Sequence, residues 1–239
     1  MTLAIMQPYL FPYNGYFQLL HAADKFVFYD DVSFIKQGWI NRNRILINGV
    51  PSYFTMPVRK ISSFTRICDM EIDGRSFPHW RDKFLKSLRH NYAKAPFYPA
   101  CIPIVEAALD EKATHVGELA KRSVRLIAEY LDIRTEIVDS SDIYRNESLS
   151  AQERVLDICS KEQAGRYLNF IGGWDLYHAP DFQKQGVELR FIRSMEFRYP
   201  QFAAPFHPSL SIIDAAMFCG KERLVRMLDE YQLIKQEET

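Results

Sequence analysis

Two short apolar runs flank a helix-length segment at the start of the chain, and this pattern limits the fold more than any other feature. The runs are residues 3–7 (LAIMQ) and residues 25–31 (KFVFYDD), which are apolar at successive positions. Strands that are apolar on both faces are buried in sheets covered on both sides. Residues 15–24 have room for about two helical turns. We therefore predict a β-loop-α-β unit in a parallel sheet.

The rest of the chain continues the alternation of strands and helices. The pair Asn48-Gly49 between β-branched and aromatic residues predicts an antiparallel hairpin. Further strands are predicted at residues 67–73, 134–140, 166–173 and 187–192. Helices are predicted at residues 78–92, 99–131, 150–161 and 210–233, the last with a break at Gly220.

These elements predict the fold class and the domain organisation. Strands that alternate with helices indicate an α/β protein with a mostly parallel, Rossmann-like sheet. The hairpin is an antiparallel excursion from that sheet, and residues 78–132 form a helical annex. We expect one domain over residues 1–239.

Composition argues against several classes of protein. The 239 residues include 30 Lys plus Arg and 30 Asp plus Glu, so the formal charge is zero at pH 7. A neutral chain has no global attraction for nucleic-acid phosphates. The chain has neither an apolar run of about 18 residues nor the pattern of a signal peptide at its start. We expect a cytoplasmic protein that neither binds nucleic acid nor inserts into a membrane.

The loop after the first predicted strand, within the segment MQPYLFPYNGYFQLL, is the first candidate binding segment. Open α/β sheets bind ligands at the carboxyl ends of their strands, and aromatic rings there can stack on a base, a sugar or an acyl chain. An aromatic plug at the end of the core is the alternative. The candidate substrate-binding residues are Gln7, Tyr9, Phe11, Tyr13 and Tyr16.

The segment YDDVSFIKQGWINRNRI, residues 29–45, is the second candidate. Asp30 and Asp31 follow the second strand, and alternation along a strand predicts that only one of them faces the cleft. Either aspartate is a candidate general base, and a structural salt bridge is the alternative. The donors Lys36, Asn41 and Arg42, with Asn43 and Arg44 in the same cluster, suit a phosphate or a carboxylate.

Two later motifs are candidates for the same site. In NFIGGWDLY, the backbone at Gly172 and Gly173 can approach a ligand closely, and Tyr177 follows at the next turn. A plain strand-to-helix turn is the alternative. In FHPSLSIIDAAMFCG, the candidates are His207 for acid-base catalysis and Ser211 and Asp214 for substrate binding. The Ser211 to Asp214 spacing is also that of a helix N-cap box.

Five ordered motifs resemble those of the WbqC-like protein family. They are QPYLFPYNGYFQLL, DKFVFYDDVSFIKQGWINRNRI, YAKAPFY, YLNFIGGWDLY and LSIIDAAMFCG. The family is associated with bacterial O-antigen, lipopolysaccharide and other surface-polysaccharide gene clusters. The resemblance implies a role in surface-glycan synthesis and a transfer of an acyl or aminoacyl group to a sugar.

The function predicted from these features is a transferase that acylates the amine of a nucleotide-linked amino sugar. Its partners would be the nucleotide-sugar substrate and an activated acyl donor, and a homo-oligomer is left open. The cofactor stays unassigned, because the sequence has no P-loop, no Rossmann glycine fingerprint and no metal-ligand spacing.

Two alternatives remain. The spacing of Tyr13 and Tyr16 matches the His-x-Gly-His turn of nucleotidyltransferases, which allows nucleotidyl transfer or ligation on that turn. A noncatalytic sugar-binding or scaffold subunit would need only the aromatic residues.

Overall fold

A computed structural model of the protein describes residues 1–59, 64–202 and 204–236. Within these residues, six strands form the main sheet and two form a separate hairpin. The strands are β1 (Thr2–Met6), β2 (Lys25–Phe28), β3 (Arg42–Ile47), β4 (Val50–Thr55), β5 (Glu136–Val138), β6 (Arg166–Phe170), β7 (Glu188–Ser194) and β8 (Tyr231–Ile234).

Seven α-helices lie between these strands in the described part of the chain. They are α1 (Asn14–Ala22), α2 (Phe77–Tyr92), α3 (Tyr98–Ala108), α4 (Val116–Tyr130), α5 (Ala151–Lys161), α6 (Ala179–Lys184) and α7 (Ile212–Met227). Two 3-10 helices follow β5 and β6, at Ser141–Tyr144 and Ile171–Leu176. Over the described residues, each helix is too short or too polar to cross a membrane.

The strand order defines a doubly wound sheet. The order is β5-β2-β1-β6-β7-β8, and all neighbours are parallel except β7 and β8. Counted within the sheet, this is the 3-2-1-4-5-6 order of the Rossmann fold. The predicted α/β class with a mostly parallel, Rossmann-like sheet is confirmed. The order reverses between β1 and β6, and the carboxyl ends of these two strands mark the switch point.

Two apolar layers cover the two faces of the sheet. Ala4 of β1 is paired with Phe26 of β2, and both pack into the layer formed with α1 and α4. The next pair, Ile5 and Val27, packs into the opposite layer with α5 and α6. Both faces of the first two strands are therefore buried, as the apolar runs predicted.

The predicted hairpin is confirmed as β3 and β4. Asn48 and Gly49 both have positive φ, at 51° and 77°, which is the requirement of a type I′ turn. The hairpin lies between β2 and α4 in the chain, and α2 and α3 follow it. Of the strand predicted at residues 67–73, the structure contains only isolated bridges, such as Val58 to Ile72.

The predicted helix over residues 99–131 is wrong in its middle, since α3 and α4 are separated there. The segment between α3 and α4 forms hydrogen bonds with residues 67–73, which were predicted as a strand. The Ile72 amide donates to the Thr114 carbonyl, and the Val116 amide donates to the Met70 carbonyl. Glu118 then accepts hydrogen bonds from the backbone of Thr114 and His115 and caps the start of α4.

The predicted helix to residue 233 is wrong in its last part. Helix α7 ends at Met227, and β8 pairs antiparallel with β7, with Leu233 opposite Ile192. Residues 231–234 form backbone hydrogen bonds with the free edge of β7, whereas a short helix at this position would be only marginally stable.

Candidate ligand-binding site

The loop after β1 has a strained backbone that is held from three directions. Phe11 has a φ of 44°, which costs a non-glycine residue about 1–3 kcal/mol. Its amide donates to Ser123 Oγ at 3.0 Å, and its carbonyl accepts from Asn43 Nδ2 at 2.8 Å and from Ser211 Oγ at 2.7 Å. These bonds fix the loop in one conformation at the switch point.

Tyr13 closes this loop and precedes α1. Its ring lies over Gly15, where a Cβ atom would be 2.7 Å from the Tyr13 hydroxyl oxygen, so a larger residue at position 15 would displace the Tyr13 ring. On its other side the ring is 5.9 Å from the Phe170 ring at the end of β6. Burial raises the pKa of Tyr13 to about 12, and Tyr9 contributes to this shift. The Tyr13 hydroxyl is therefore protonated at neutral pH.

A cavity of about 230 Å³, the Arg44 cavity, opens beside this loop at the end of β1. It is lined by Tyr9, Pro12, Tyr13, Trp39, Asn43, Arg44 and Ser209. Arg44 donates to the Ser209 carbonyl at 3.3 Å, while its buried Nε has no partner among the described residues. Within the same residues Arg44 makes no ion pair, so its guanidinium retains donors for an anion.

Arg42 adds a second positive charge next to this cavity. It lies two positions before Arg44 on β3, so both side chains project from the same face. The guanidinium carbon of each arginine is 5.9 Å from the centre of the Trp39 ring. Arg42 also lies 4.6 Å from the centre of the Tyr53 ring. The result is a basic surface with exposed aromatic rings, which suits a phosphate attached to a planar group.

A second cavity of about 210 Å³, the Tyr199 cavity, adjoins the first. It is lined by Tyr13, Asn14, Ser194, Met195, Glu196, Phe197, Tyr199, Phe206, Pro208, Ser209, Leu210 and Ala215. Tyr13 and Ser209 line both cavities and therefore lie at their boundary. Ser209 has a φ of 55°, a second strained non-glycine residue at this site.

Asp214 lies fully buried behind the Tyr199 cavity. Its carboxylate accepts hydrogen bonds from the hydroxyls of Tyr92 and Tyr199, both at 2.7 Å, and from Gln201 Nε2 at 3.0 Å. Burial raises the pKa of Asp214, and these hydrogen bonds offset only part of that shift. Asp214 does not line either cavity and instead anchors Tyr199, which does.

His207 is held close to this network by its backbone. Its amide donates to Gln201 Oε1 at 2.9 Å, and its carbonyl accepts from Gln201 Nε2 at 3.0 Å. The side chain is half-buried. Phe206 and Pro208, the residues on either side, line the Tyr199 cavity. His207 is thus adjacent to the cavity with no side-chain hydrogen bond to another described residue.

The raised pKa of Asp214 gives a pH prediction. Between the ordinary aspartate pKa of 3.8 and the raised folded value, the folded state binds more protons than the unfolded state. The contribution of Asp214 to stability must therefore fall as the pH rises through this window. Denaturant unfolding of the wild type and Asp214→Asn should show a wild-type advantage that shrinks from about pH 4 upward. A constant difference across that range would show that the Asp214 pKa is not raised.

Asp30 and Asp31 are both buried in ion pairs at the ends of β2 and β5. Lys121 Nζ lies 2.6 Å from Asp30 Oδ2, and Ser140 Oγ donates to Asp30 Oδ1 at 2.7 Å. Asp31 binds the buried guanidinium of Arg154 and the Ser141 hydroxyl. We expected one aspartate to face the cleft and the other to face a structural partner. In the structure both aspartates have structural partners. The two residues follow the end of β2, where strand alternation no longer applies.

Of the other residues singled out in the first two segments, the structure brings Tyr9, Tyr13, Asn43 and Arg44 to the lining of the Arg44 cavity. The candidates Gln7, Phe11, Tyr16, Lys36, Asn41 and Arg42 lie outside that lining. Tyr16 is buried, and its hydroxyl donates to the Gln7 carbonyl at 2.9 Å. Asn41 is also buried, and its amide donates to the Met56 carbonyl. Gln7 is half-buried and Lys36 is exposed. Phe11, Asn41 and Ser211 therefore contribute to the structure around the cavity rather than to its lining.

The candidates after β6 lie on the opposite face of the sheet. Gly172 and Gly173 are in the 3-10 helix, and Gly173 packs against Asn169, whose side chain is 3.2 Å from a Cβ built at that glycine. The Tyr177 ring packs edge-on against Tyr167 at 5.5 Å in the second apolar layer. None of these three candidates lines either cavity.

Among the polar and aromatic residues that line the Arg44 cavity, Trp39 and Ser209 were not singled out from the sequence. Arg44 and Asn43 belong to the cluster of donors predicted after the second strand, and Arg44 shares a strand face with Arg42. Trp39 lies in the same motif, three residues before the first residue of β3. Ser209 has no local signal, because its position depends on a contact with Arg44, 165 positions earlier in the chain.

The sheet order and the cavities at its switch point place the protein in the Rossmann-like class of α/β proteins. A model of the WbqC-like protein family matches residues 7–226. The chain belongs to the WbqC-like protein family, as its motifs predicted. It is also 28% identical over 224 residues to a Mycobacterium tuberculosis protein named "Uncharacterized protein Rv1507c", and the match covers 92% of this chain and 94% of that protein. No solved structure matches the chain significantly.

Proposed function

We propose that this protein is a transferase of bacterial surface-glycan synthesis that acylates the amine of a nucleotide-linked amino sugar. One observation carries the proposal: the Arg44 cavity combines aromatic rings with a guanidinium that has no acidic partner among the described residues. Phosphate on Arg44 and Arg42, with a ring on Tyr9 or Tyr13, is the arrangement that a nucleotide-sugar requires.

The position of the cavity agrees with this ligand. It lies at the carboxyl end of β1, beside the point where the strand order reverses, and doubly wound sheets bind nucleotides there. Helix α1 begins at the same place, and its first turn has neither a side-chain cap nor an acidic residue. The positive end of its dipole adds to the attraction for phosphate.

In the proposed reaction, the amine nitrogen attacks the carbonyl carbon of the activated acyl donor. A C–N bond forms, and the bond between that carbon and the leaving group breaks, with its electron pair departing on the leaving group. A base accepts the proton that the amine loses. His207 is the candidate for this base, since Asp30 and Asp31 are occupied by Lys121 and Arg154.

The nucleotidyl-transfer alternative has less support from the same geometry. In this alternative, Tyr13 and Tyr16 would have to bind phosphate in place of the two histidines of the His-x-Gly-His turn. Tyr16 is fully buried, with its hydroxyl bonded to the Gln7 carbonyl. Burial also keeps Tyr13 neutral by raising its pKa to about 12. Neither tyrosine can therefore supply the positive charge that the histidines give to the His-x-Gly-His turn.

Substitution of Arg44 tests the phosphate assignment. Arg44→Met should weaken binding of UDP-glucosamine by about 10- to 100-fold in a calorimetric titration, because charge-assisted hydrogen bonds contribute roughly 1.5–3 kcal/mol. The affinity of Arg44→Lys for UDP-glucosamine should lie between those of Arg44→Met and the wild type, because lysine keeps the charge but lacks the planar guanidinium.

The matched control is Arg134→Met, which removes an exposed arginine two residues before the edge strand β5 and outside the lining of the Arg44 cavity. It should bind UDP-glucosamine as the wild type does. Equal affinities of the Arg44→Met variant and the wild type would show that the phosphate does not bind in the Arg44 cavity.

A further inference from the structure

A groove of about 390 Å³, the Arg226 groove, adjoins the Tyr199 cavity. It is lined by Glu196, Phe197, Arg198, Arg223, Arg226 and Glu230. The lining therefore carries more positive than negative side chains. Arg226 is exposed and makes neither an ion pair nor a side-chain hydrogen bond with another described residue. All of its N–H donors are available for an anion.

The other two arginines of the groove are held by aromatic rings of the Tyr199 cavity. The guanidinium carbon of Arg223 is 5.1 Å from the centre of the Phe197 ring, and that of Arg198 is 5.8 Å from the centre of the Phe206 ring. Arg223 also donates to the Arg198 carbonyl at 2.7 Å. The ion pair between Arg198 and Glu196 is exposed and is worth little in water. Each guanidinium has five N–H donors, so the groove retains donors for a phosphate.

Shared lining residues connect this groove with both cavities. Glu196 and Phe197 line the Arg226 groove and the Tyr199 cavity, while Tyr13 and Ser209 line the Tyr199 cavity and the Arg44 cavity. The Tyr199 cavity is therefore the middle of three adjoining depressions, and arginines line the two outer ones. A transferase must hold two substrates with their reacting atoms together between two binding sites.

The middle cavity offers neutral hydrogen-bond donors. Asn14 and Ser194 line it, and neither side chain forms a hydrogen bond with another described residue. Neither lysine nor arginine is among the described residues that form this lining. His207, the candidate base, follows the lining residue Phe206 in the chain. Donors such as these can stabilise the oxygen of a carbonyl group under attack.

We infer that the Arg226 groove binds a phosphate on the leaving group of the acyl donor, while the acyl carbonyl lies in the Tyr199 cavity. This inference rests on the proposed function and deepens it by naming the chemical class of the donor. In the transfer, the amine nitrogen bonds to the carbonyl carbon, and the bond from that carbon to the leaving atom breaks with its electron pair on that atom. The base accepts the proton of the amine. The leaving group is a phosphorylated thiol, as in coenzyme A, or a nucleoside monophosphate.

Calorimetric titration with coenzyme A and with adenosine monophosphate, each into protein saturated with UDP-glucosamine, tests the inference and distinguishes the two leaving groups. At least one should bind, because UDP-glucosamine occupies the Arg44 cavity and leaves the groove open. The tighter ligand identifies the leaving group. Arg226→Met should weaken its binding by about tenfold, because charge-assisted hydrogen bonds to phosphate are lost. Binding of UDP-glucosamine to the same variant shows that its fold is intact.

Lys221→Met is the matched control, because it removes an exposed cation on α7 that pairs with Asp132 and does not line the groove. It should bind the identified ligand as the wild type does. Equal affinities of Arg226→Met and the wild type, or binding only in the absence of UDP-glucosamine, would overturn the donor site and leave the proposed function standing. Failure of both ligands to bind would do the same. Failure of UDP-glucosamine itself to bind would overturn the proposed function and, with it, the role of the groove as a donor site.

Discussion

Asp31→Asn is expected to lower the free energy of unfolding by about 3–5 kcal/mol, because it leaves a buried guanidinium without its counter-charge. The Asp31 and Arg154 side chains are only 1% and 7% exposed. Arg154 is held in place by Asn146 and by stacking 5.0 Å from the Tyr29 ring, so it cannot turn out to solvent easily. Urea unfolding monitored by fluorescence measures the loss.

A control for this variant lies in the same region. Asp142→Asn breaks an exposed pair with Arg66, whose side chains are 62% and 42% exposed, and should cost at most about 1 kcal/mol. The double variant Asp31→Asn/Arg154→Met should recover part of the stability, since it removes the stranded charge. If Asp31→Asn keeps the wild-type stability, the buried pair is not a structural element and the aspartate is available for another role.

Gly220→Ala is expected to lower the free energy of unfolding by about 2–4 kcal/mol. Gly220 interrupts α7 with a φ of 69° and a ψ of 172°, a conformation that is essentially restricted to glycine. An added Cβ would also lie 2.6 Å from the Phe97 ring. The backbone strain and the displaced ring both act against the folded state.

Gly186→Ala separates these two causes. Gly186 follows the end of α6 and has a φ of 73°, but a Cβ there would meet no atom within 4 Å. Its cost should be only about 1 kcal/mol, the usual penalty for a left-handed alanine. Equal losses in the two variants would mean that the contact with Phe97 adds nothing to the cost of a positive φ.

Most of the fold could be predicted from the sequence because its signals are local. The apolar runs of β1 and β2 and the Asn48-Gly49 turn each lie within a few residues. The missed elements depend on distant partners. Strand β8 forms because the edge of β7 is available, and α3 separates from α4 because Thr114 pairs with Ile72.

The candidate site could be predicted only in part, for the same reason. Tyr9 and Tyr13 were found because a loop at the end of a parallel strand is a known ligand position. Their neighbour Ser209 is almost 200 residues later in the chain, and no local pattern indicates it. Alternation along β2 also could not reveal that Asp30 and Asp31 form ion pairs with Lys121 and Arg154, because these two partners are distant in the sequence.

Calorimetric titration of the wild-type protein with UDP-glucosamine, with free glucosamine as the comparison, tests the central proposal most directly. The dTDP-linked amino sugar serves as a second nucleotide, since the base is not assigned. At least one nucleotide-linked amino sugar should bind more tightly than free glucosamine by about tenfold or more, because only the nucleotide form carries phosphates for Arg44 and Arg42. Binding of the free sugar with an affinity equal to that of both nucleotide forms, or no binding of any of them, would contradict the proposal.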